Sequence, residues 1–273
     1  MTDAEFYRIH TFLKSRYGVD MSSKKEIVKG RLENYVRNQG YTTYQSYMDA
    51  LEADITGELE KKLVDILTTN HTYFMREAEH FEFLKSEVLP YLKRREARNR
   101  DLRIWCGAAS TGEEPYTLAM LLLDFFGLEQ NNWDTQILAT DISTEVLTQA
   151  IRGEYSLEQI QNMPENYKRR FFRALPDGES CVVTDELKKQ VIYRKFNLMD
   201  DFPFRRKLHV VFLRNVMIYF DEQTKREVTQ KVYDVLEPGG YLFIGRTETI
   251  DRDSVPFEMV QPSIFRKPEV KQA

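Results

Sequence analysis

Over its first hundred residues the chain places apolar side chains at helical spacing and nowhere alternates as a strand would. Phe6, Ile9, Phe12 and Leu13 make one stripe, Ile27, Val28, Leu32, Tyr35 and Val36 a second, and Ile55, Leu59, Leu63, Ile66 and Leu67 a third. Breaks fall at Tyr17-Gly18-Val19-Asp20 and Asn38-Gln39-Gly40, and Asp54 or Thr56 is placed to cap the third helix. The basic run from Lys93 to Arg100 reads as the solvated end of a connecting helix, with cations near its carbonyl end.

The pattern changes at Asp101. Short apolar runs at Leu102–Cys106, Gln136–Asp141, Val191–Phe196, Leu208–Leu213 and Tyr241–Gly245 predict strands. Helices are expected between them at about Glu113–Phe126, after a Ser143 cap, and at about Glu222–Leu236, followed by a turn at Glu237-Pro238-Gly239-Gly240. Strands alternating with helices imply βαβ units and a mostly parallel sheet, an α/β fold. Residues from about Gly153 to Gln190 interrupt that rhythm with Pro164, Pro176-Asp177-Gly178 and a short hairpin around Ser180–Thr184, so they are expected to form an inserted β-subdomain. The expected division is a helical domain at 1–78, a connecting helix at 79–100 and an α/β domain at 101–273 with its insert at about 153–190.

Composition narrows the class. The chain has 273 residues, of which 42% are hydrophobic and 30% charged, enough for a packed core. Lys+Arg 39 against Asp+Glu 43 leaves a net charge of −4, which argues against a protein that coats nucleic acid or an anionic membrane. Two cysteines suit a reducing compartment, no apolar signal region opens the chain, and the longest apolar run, Leu118–Leu123, is far too short to span a bilayer. A cytoplasmic protein is expected. No metal-ligand spacing occurs among His10, His71, His80 and His209.

The loop Gly107-Ala108-Ala109-Ser110-Thr111-Gly112 follows the first expected strand and opens a helix, a geometry suited to close approach of a ligand. Its glycine spacing fits a P-loop, but Glu113 and Glu114 stand where a lysine and a hydroxyl belong, which excludes a triphosphate. Ala109 replaces the middle glycine of a dinucleotide fingerprint. A cofactor without phosphates and with an amine head group fits better, and S-adenosylmethionine has that chemistry. Asp141, ending the second strand, can accept both hydroxyls of a ribose or cap the following helix. Cys106 beside the loop is expected to be a buried structural thiol.

From about residue 4 to residue 267 the chain resembles the chemotaxis-receptor glutamate O-methyltransferases, the CheR family. The stretches that carry the resemblance are Thr69-Asn70-His71-Thr72-Tyr73-Phe74-Met75-Arg76-Glu77, Ala108-Ala109-Ser110-Thr111-Gly112-Glu113-Glu114-Pro115-Tyr116, Ala139-Thr140-Asp141-Ile142 and Arg214-Asn215-Val216-Met217-Ile218-Tyr219-Phe220-Asp221. The resemblance implies a Rossmann-like class I methyltransferase domain behind an all-helical N-terminal domain. It implies that S-adenosylmethionine is the methyl donor and S-adenosylhomocysteine the product. Position by position, it puts Asn70, Thr72 and Arg76 over the cofactor and Gly107 in the cofactor loop. Glu114 would take the ammonium, with Glu113 the second candidate. Asp141 would hold the ribose, Asn197 and Leu198 would flank the adenine, and Asn215 and Val216 would lie beneath the sulfonium. Arg76 and Tyr219 would handle the substrate carboxylate. Two departures from the family pattern stand out: Met75 where a second Phe is usual, and Gly245-Arg246-Thr247-Glu248 where Gly-His-Ser-Glu is usual.

An ionised glutamate needs no general base to attack a sulfonium, so such an enzyme has mainly to aim the carboxylate. The family's acceptors are glutamates on the cytoplasmic helical bundle of chemoreceptors, an acidic surface. Lys29 and Arg31, flanking the polar face of the expected second helix, are the docking candidates. A monomer that binds no nucleic acid and does not insert directly into a membrane is expected. The rival readings are a methyltransferase for another acceptor and a cofactor-binding sensor or adaptor without chemistry.

Overall fold

A computed structural model describes residues 1–68 and 70–269; Thr69, first residue of the first motif, and the last four residues of the expected α/β domain lie outside the described residues. Four helices open the chain: α1 (Asp3–Tyr17), α2 (Lys25–Asn38), α3 (Tyr44–Ala53) and α4 (Glu58–Leu67). Thr2 and Glu5 form a reciprocal capping box at the start of α1. Ile9, Leu13, Val28, Leu32, Tyr47, Met48, Leu63 and Leu67 make a cluster of their own. The third stripe begins later than expected. Asp54 accepts N–H groups from Thr56 and Leu59, so residues 54–57 form a turn; α4 starts at Glu58, and Ile55 is fully exposed rather than part of the stripe.

A second helical run, α5 (Ala78–Phe83) and α6 (Leu89–Arg95), is continuous through a π-helical turn at Leu84–Val88. Pro90 lacks an N–H and crowds the carbonyl four residues back, which accounts for a widened turn just before it. The helix buries Phe81, Leu84, Val88 and Leu92 against the sheet.

The remaining elements are β1 (Ile104–Gly107), α7 (Glu113–Phe126), β2 (Ile137–Asp141), α8 (Thr144–Arg152), β3 (Glu154–Ser156), α9 (Glu165–Phe171), β4 (Phe172–Ala174), β5 (Ser180–Val183), α10 (Asp185–Lys188), β6 (Val191–Lys195), β7 (Leu208–Leu213), α11 (Glu222–Val235), β8 (Leu236–Phe243), β9 (Glu258–Gln261) and β10 (Ile264–Arg266). The seven-stranded sheet runs β6-β2-β1-β7-β8-β10-β9, its first five strands parallel and its last two antiparallel. Period-two alternation divides its side chains. Val210 and Phe212 pack toward α5–α7, whereas Val211 and Leu213 face Val228 and Val232 of α11. β3, β5 and β4 form a separate three-stranded sheet, with Asp177 accepting the Glu179 and Ser180 amides at the β4–β5 turn.

Two expectations fail in the last third. Glu237–Gly240 is not a turn before a strand but a bulge inside β8: Leu236 pairs with Leu208 and Tyr241 with Val210, and the four residues between loop out at Gly239, φ +78°. The β9–β10 hairpin has no counterpart in the expected elements, because its strands are four and three residues long and β9 is exposed throughout, without an apolar alternation.

Candidate active site

Strand order reverses around β1, whose neighbours are β2 and β7, and the crevice beyond the carboxyl ends of these strands is where α/β sheets bind ligands. A cavity of about 120 Å³ lies there. Its floor is Ala108, Ala109 and Ser110 of the loop after β1 and the segment after β7; its roof comes from the helical unit, through Leu13, Tyr17 and Val19 on one side and Val64 and Leu67 on the other.

The loop is held in an unusual shape. Ala108 and Ser110 have φ +57° and +50°, and Gly112 has φ +99°. Only Gly112 escapes the cost of such angles, about 1–3 kcal/mol for a residue with a Cβ. A Cβ on Gly112 would also lie 2.9 Å from the Tyr155 and Tyr193 hydroxyls. Compensating bonds are visible: Ala109 N–H to the Thr140 carbonyl (2.9 Å), Ser110 N–H to Asp141 Oδ2 (2.8 Å) and the Tyr155 hydroxyl to the Thr111 carbonyl (2.7 Å). Asp141 also accepts the Ser143 amide at 3.0 Å through Oδ1 while lining the cavity, so it braces both loops as well as facing any ligand. Burial pushes its carboxyl up, opposed by those amides.

The two neighbouring acids part company. Glu114 lines the cavity, whereas Glu113 does not. Glu113 is 1% exposed and accepts hydrogen bonds from Thr111 Oγ1 (2.7 Å) and, from the insert, Gln159 Nε2 (3.4 Å). Burial raises its pKa. Consecutive helical residues point about 100° apart, which turns Glu114 toward the crevice and Glu113 away from it. Glu114 Oε2 sits 2.5 Å from Arg214 Nη1, and Glu114 Oε1 accepts the Cys106 thiol at 3.1 Å. Burial and the Glu114 charge push that thiol well up, in keeping with an inert buried cysteine. Gly107 does not line the cavity either. It ends β1, and a Cβ there would lie 2.8 Å from Leu213 Cδ1, so it serves close strand packing rather than ligand contact.

Arg214 opens the motif that carries Asn215 and Tyr219; its side chain is 1% exposed, lines the cavity and pairs with Glu77 (3.0 Å) as well as Glu114. Burial opposes its charge, but the two carboxylates outweigh it and raise its pKa. Glu77 shows the converse: burial works to raise its pKa, and the Arg214 charge and hydrogen bonds bring the net shift below the usual value. A lone arginine following the wholly buried run Leu208–Leu213 is the signal that could have marked it.

Asn70, Thr72, Arg76, Asn197, Leu198, Asn215, Val216 and Tyr219 all line the same cavity. Arg76 Nη1 donates to the His71 carbonyl (2.8 Å), and its guanidinium lies 5.8 Å from the Tyr73 ring centre. Asn215 adopts φ +58°, held by buried Glu248, which accepts the Asn215 and Gly245 amides at 2.8 and 2.6 Å. Asn197 Nδ2 donates to the Arg16 carbonyl (2.8 Å), and the Tyr219 carbonyl accepts the Asp20 amide (2.7 Å), so both are tied to the helical unit. Arg246, at the second departure, pairs with Glu79 at 2.9 Å on the surface. Lys29 and Arg31 lie on α2 away from the cavity, and Arg31 Nη1 donates to the Leu67 carbonyl at 2.7 Å. Among the described residues no cluster of His, Cys, Asp and Glu could hold a metal ion.

The cavity's charged lining, Glu114 and Asp141 with Arg76 and Arg214, contains no lysine. Glu114 and Asp141 can accept an ammonium and a ribose, so the residues present fit S-adenosylmethionine.

Comparison with known proteins agrees. Residues 70–265 match the family described as "CheR methyltransferase, SAM binding domain", and residues 4–68 match "CheR methyltransferase, all-alpha domain". The chain is 38% identical over 272 residues to a chemotaxis protein methyltransferase of Borreliella burgdorferi, covering 98% of this chain and 95% of that one. It is 35% identical to chemotaxis protein methyltransferase 1 of Pseudomonas aeruginosa, covering 96% of each. Against the Escherichia coli chemotaxis protein methyltransferase the identity is 36%, over 91% of this chain and 85% of the relative.

Proposed function

This chain belongs to the CheR methyltransferase family, and from that premise we propose how its own residues carry out the reaction. It is an S-adenosylmethionine-dependent methyltransferase of chemotaxis. The acceptors we assign are glutamate side chains on the cytoplasmic helices of a chemoreceptor, methylated in adaptation by a monomeric cytoplasmic enzyme. Among the described residues, no helix is long and apolar enough to cross a membrane.

When bound, S-adenosylmethionine supplies a methyl group activated by its sulfonium. Glu114 receives the ammonium, Asp141 the ribose hydroxyls, Asn197 and Leu198 the adenine, and Asn215 and Val216 the region of the sulfur, with Asn70 and Thr72 above. Arg76 orients the acceptor carboxylate through its guanidinium, and the Tyr219 hydroxyl adds a directed hydrogen bond. A clamp that gripped the anion too tightly would stabilise the ground state and slow attack, so Arg76 aims rather than holds. Cancellation of opposite charges during transfer is favoured where water is excluded, and the apolar roof from α1 and α4 supplies that cover. Lys29, on the polar face of α2, steers the acidic receptor, with Arg31 beside it.

The observation that carries this reading is the convergence of Glu114, Asp141, Arg76 and Tyr219 on one cavity from four separate segments of the chain. Incubation with cofactor radiolabelled in the methyl group and a receptor signalling fragment should put base-labile label on glutamate. Stabilisation by S-adenosylhomocysteine with no label on any receptor fragment would instead favour a non-catalytic sensor. The domain division at about 78 and 100, with the insert at 153–190, is part of the same proposal. It rests on the separate apolar cluster of α1–α4, and limited proteolysis should cut between the units before cutting within them.

A further inference from the structure

We propose that Glu77 and Arg214 are positioning residues for Arg76, forming a buried bridge that fixes the turn on which Arg76 is displayed; this rests on reading Arg76 as the group that orients the acceptor carboxylate. Arg76 stands between Met75 and Glu77, both with left-handed backbones at φ +59° and +57°. Neither is glycine, so the turn does not hold itself and must be held by its surroundings. On one side the Met75 N–H donates to Thr117 Oγ1 of α7 at 3.3 Å. On the other, the Arg76 carbonyl accepts Arg214 Nη2 at 2.6 Å, and the same nitrogen lies 3.0 Å from Glu77 Oε2. Glu77 accepts two further donors, the Arg246 amide at 3.2 Å and Asn215 Nδ2 at 3.4 Å.

The bridge is built to be rigid. The Arg214 guanidinium is 1% exposed, lies 5.4 Å from the Phe81 ring centre, and spends its other terminal nitrogen on Glu114. A planar guanidinium with two carboxylates and a carbonyl fixed around it has little freedom to rotate. Through it, the backbone of the residue that aims the acceptor is tied to the helix bearing Glu114. Reactions between aligned groups lose rate steeply when one is displaced by about 1 Å, by roughly 10²-fold. A neutral, isosteric Glu77 would loosen the bridge at the Arg76 end while leaving the Glu114–Arg214 pair in place.

The test is a double-mutant cycle of Glu77→Gln and Arg76→Ala, with turnover measured on a receptor fragment and affinity for S-adenosylhomocysteine by calorimetry. If Glu77 acts through Arg76, Glu77→Gln lowers kcat by about 10–100-fold in the native background. It changes kcat by less than about twofold in the Arg76→Ala background. Its product affinity stays within about threefold, and Glu77→Asp, which keeps the charge, recovers part of the loss. Equal losses in both backgrounds, or a parallel loss of affinity, identify a general structural role and overturn the proposal. An unchanged kcat in Glu77→Gln with a defective Arg76→Ala overturns this proposal alone; normal turnover in Arg76→Ala overturns the assignment of Arg76 itself. Should Glu77→Gln fail to fold, Glu77→Asp, which keeps the charge but shortens the reach to Arg214, enters the same cycle; its smaller loss of kcat is again confined to the background that retains Arg76, and an equal loss in both backgrounds overturns the proposal.

Discussion

Replacing Glu114 by Gln separates the two adjacent acids of α7, which the sequence leaves as alternatives. Glu114 lines the cavity and Glu113 is turned away from it against Thr111 and Gln159. A hydrogen bond to a charged partner is worth about 1.5–3 kcal/mol, so losing the carboxylate proposed to meet the ammonium should weaken S-adenosylhomocysteine binding roughly 10–150-fold. The fold should suffer less. Breaking a buried ion pair outright costs about 3–5 kcal/mol, but Arg214 keeps Glu77 and the Arg76 carbonyl, and a Gln Oε1 can still accept from it. About 1–2 kcal/mol is therefore expected, a drop of a few degrees in Tm for a chain of this size. Isothermal titration with S-adenosylhomocysteine is the assay, with Glu113→Gln alongside, for which Kd should stay within about threefold. An intact Kd in Glu114→Gln together with a weakened one in Glu113→Gln would refute the placement of the amine.

Glu113 should reveal itself through pH instead. Its folded pKa is raised by burial, so the stability it contributes is present below the unfolded value and is lost as pH rises through the folded one; Glu113→Gln should gain Tm relative to wild type at pH 7–8, and the gap should close toward pH 4. Gly112→Ala forces a Cβ into φ +99° and to within 2.9 Å of Ala150 Cβ and the Tyr155 and Tyr193 hydroxyls. It should cost more than about 1–3 kcal/mol in chemical denaturation and weaken product binding as well, and retention of native stability would contradict the loop geometry. Lys29→Glu should slow receptor methylation several-fold at low ionic strength and little at high salt, with product affinity unchanged. Salt-independent rates would remove α2 from the docking surface. Arg31 is a poorer probe, because its bond to the Leu67 carbonyl makes reversal there a structural change as well.

What could be read from the chain and what could not divide along physical lines. The strands β1, β2 and β7 are largely buried and mostly apolar, so their positions followed from local pattern, and with them the loop after β1 and the acid ending β2; β6 shows the same pattern only at Val191–Tyr193. β9 and β10 are held by pairing with β8 rather than by any pattern of their own, and the bulge at 237–240 depends on a register that only the neighbouring strand sets. The same distinction governs the site. Asp141 announces itself by standing at a strand end. Arg214 meets Glu114 across 100 residues and Glu77 across 137, and nothing in the intervening sequence encodes that meeting. The two candidates outside the cavity lining, Gly107 and Glu113, are neighbours in sequence of residues that do face it. Sequence proximity located the region, and backbone phase selected the residue.

The helical unit makes its closest ties to the α/β unit around the mouth of the cavity. Gly18, with φ +69°, ends α1 so close to the segment after β6 that a Cβ would come within 2.6 Å of Met199 Sδ. Next to it Val19 pairs with Phe220 and the Asp20 amide meets the Tyr219 carbonyl, while Lys14 pairs with Asp221 at 2.7 Å. These ties converge on the segment Tyr219–Asp221, which carries one of the two groups assigned to the acceptor carboxylate. The other, Arg76, sits on a turn fixed through Arg214 to α7 and β7. Of the two groups proposed to face the acceptor, one is thus held by the helical unit and the other through Arg214 by the sheet. The contacts that seat the apolar roof over the cavity also hold the segment bearing Tyr219, which ties exclusion of water to the placement of one group assigned to the acceptor carboxylate.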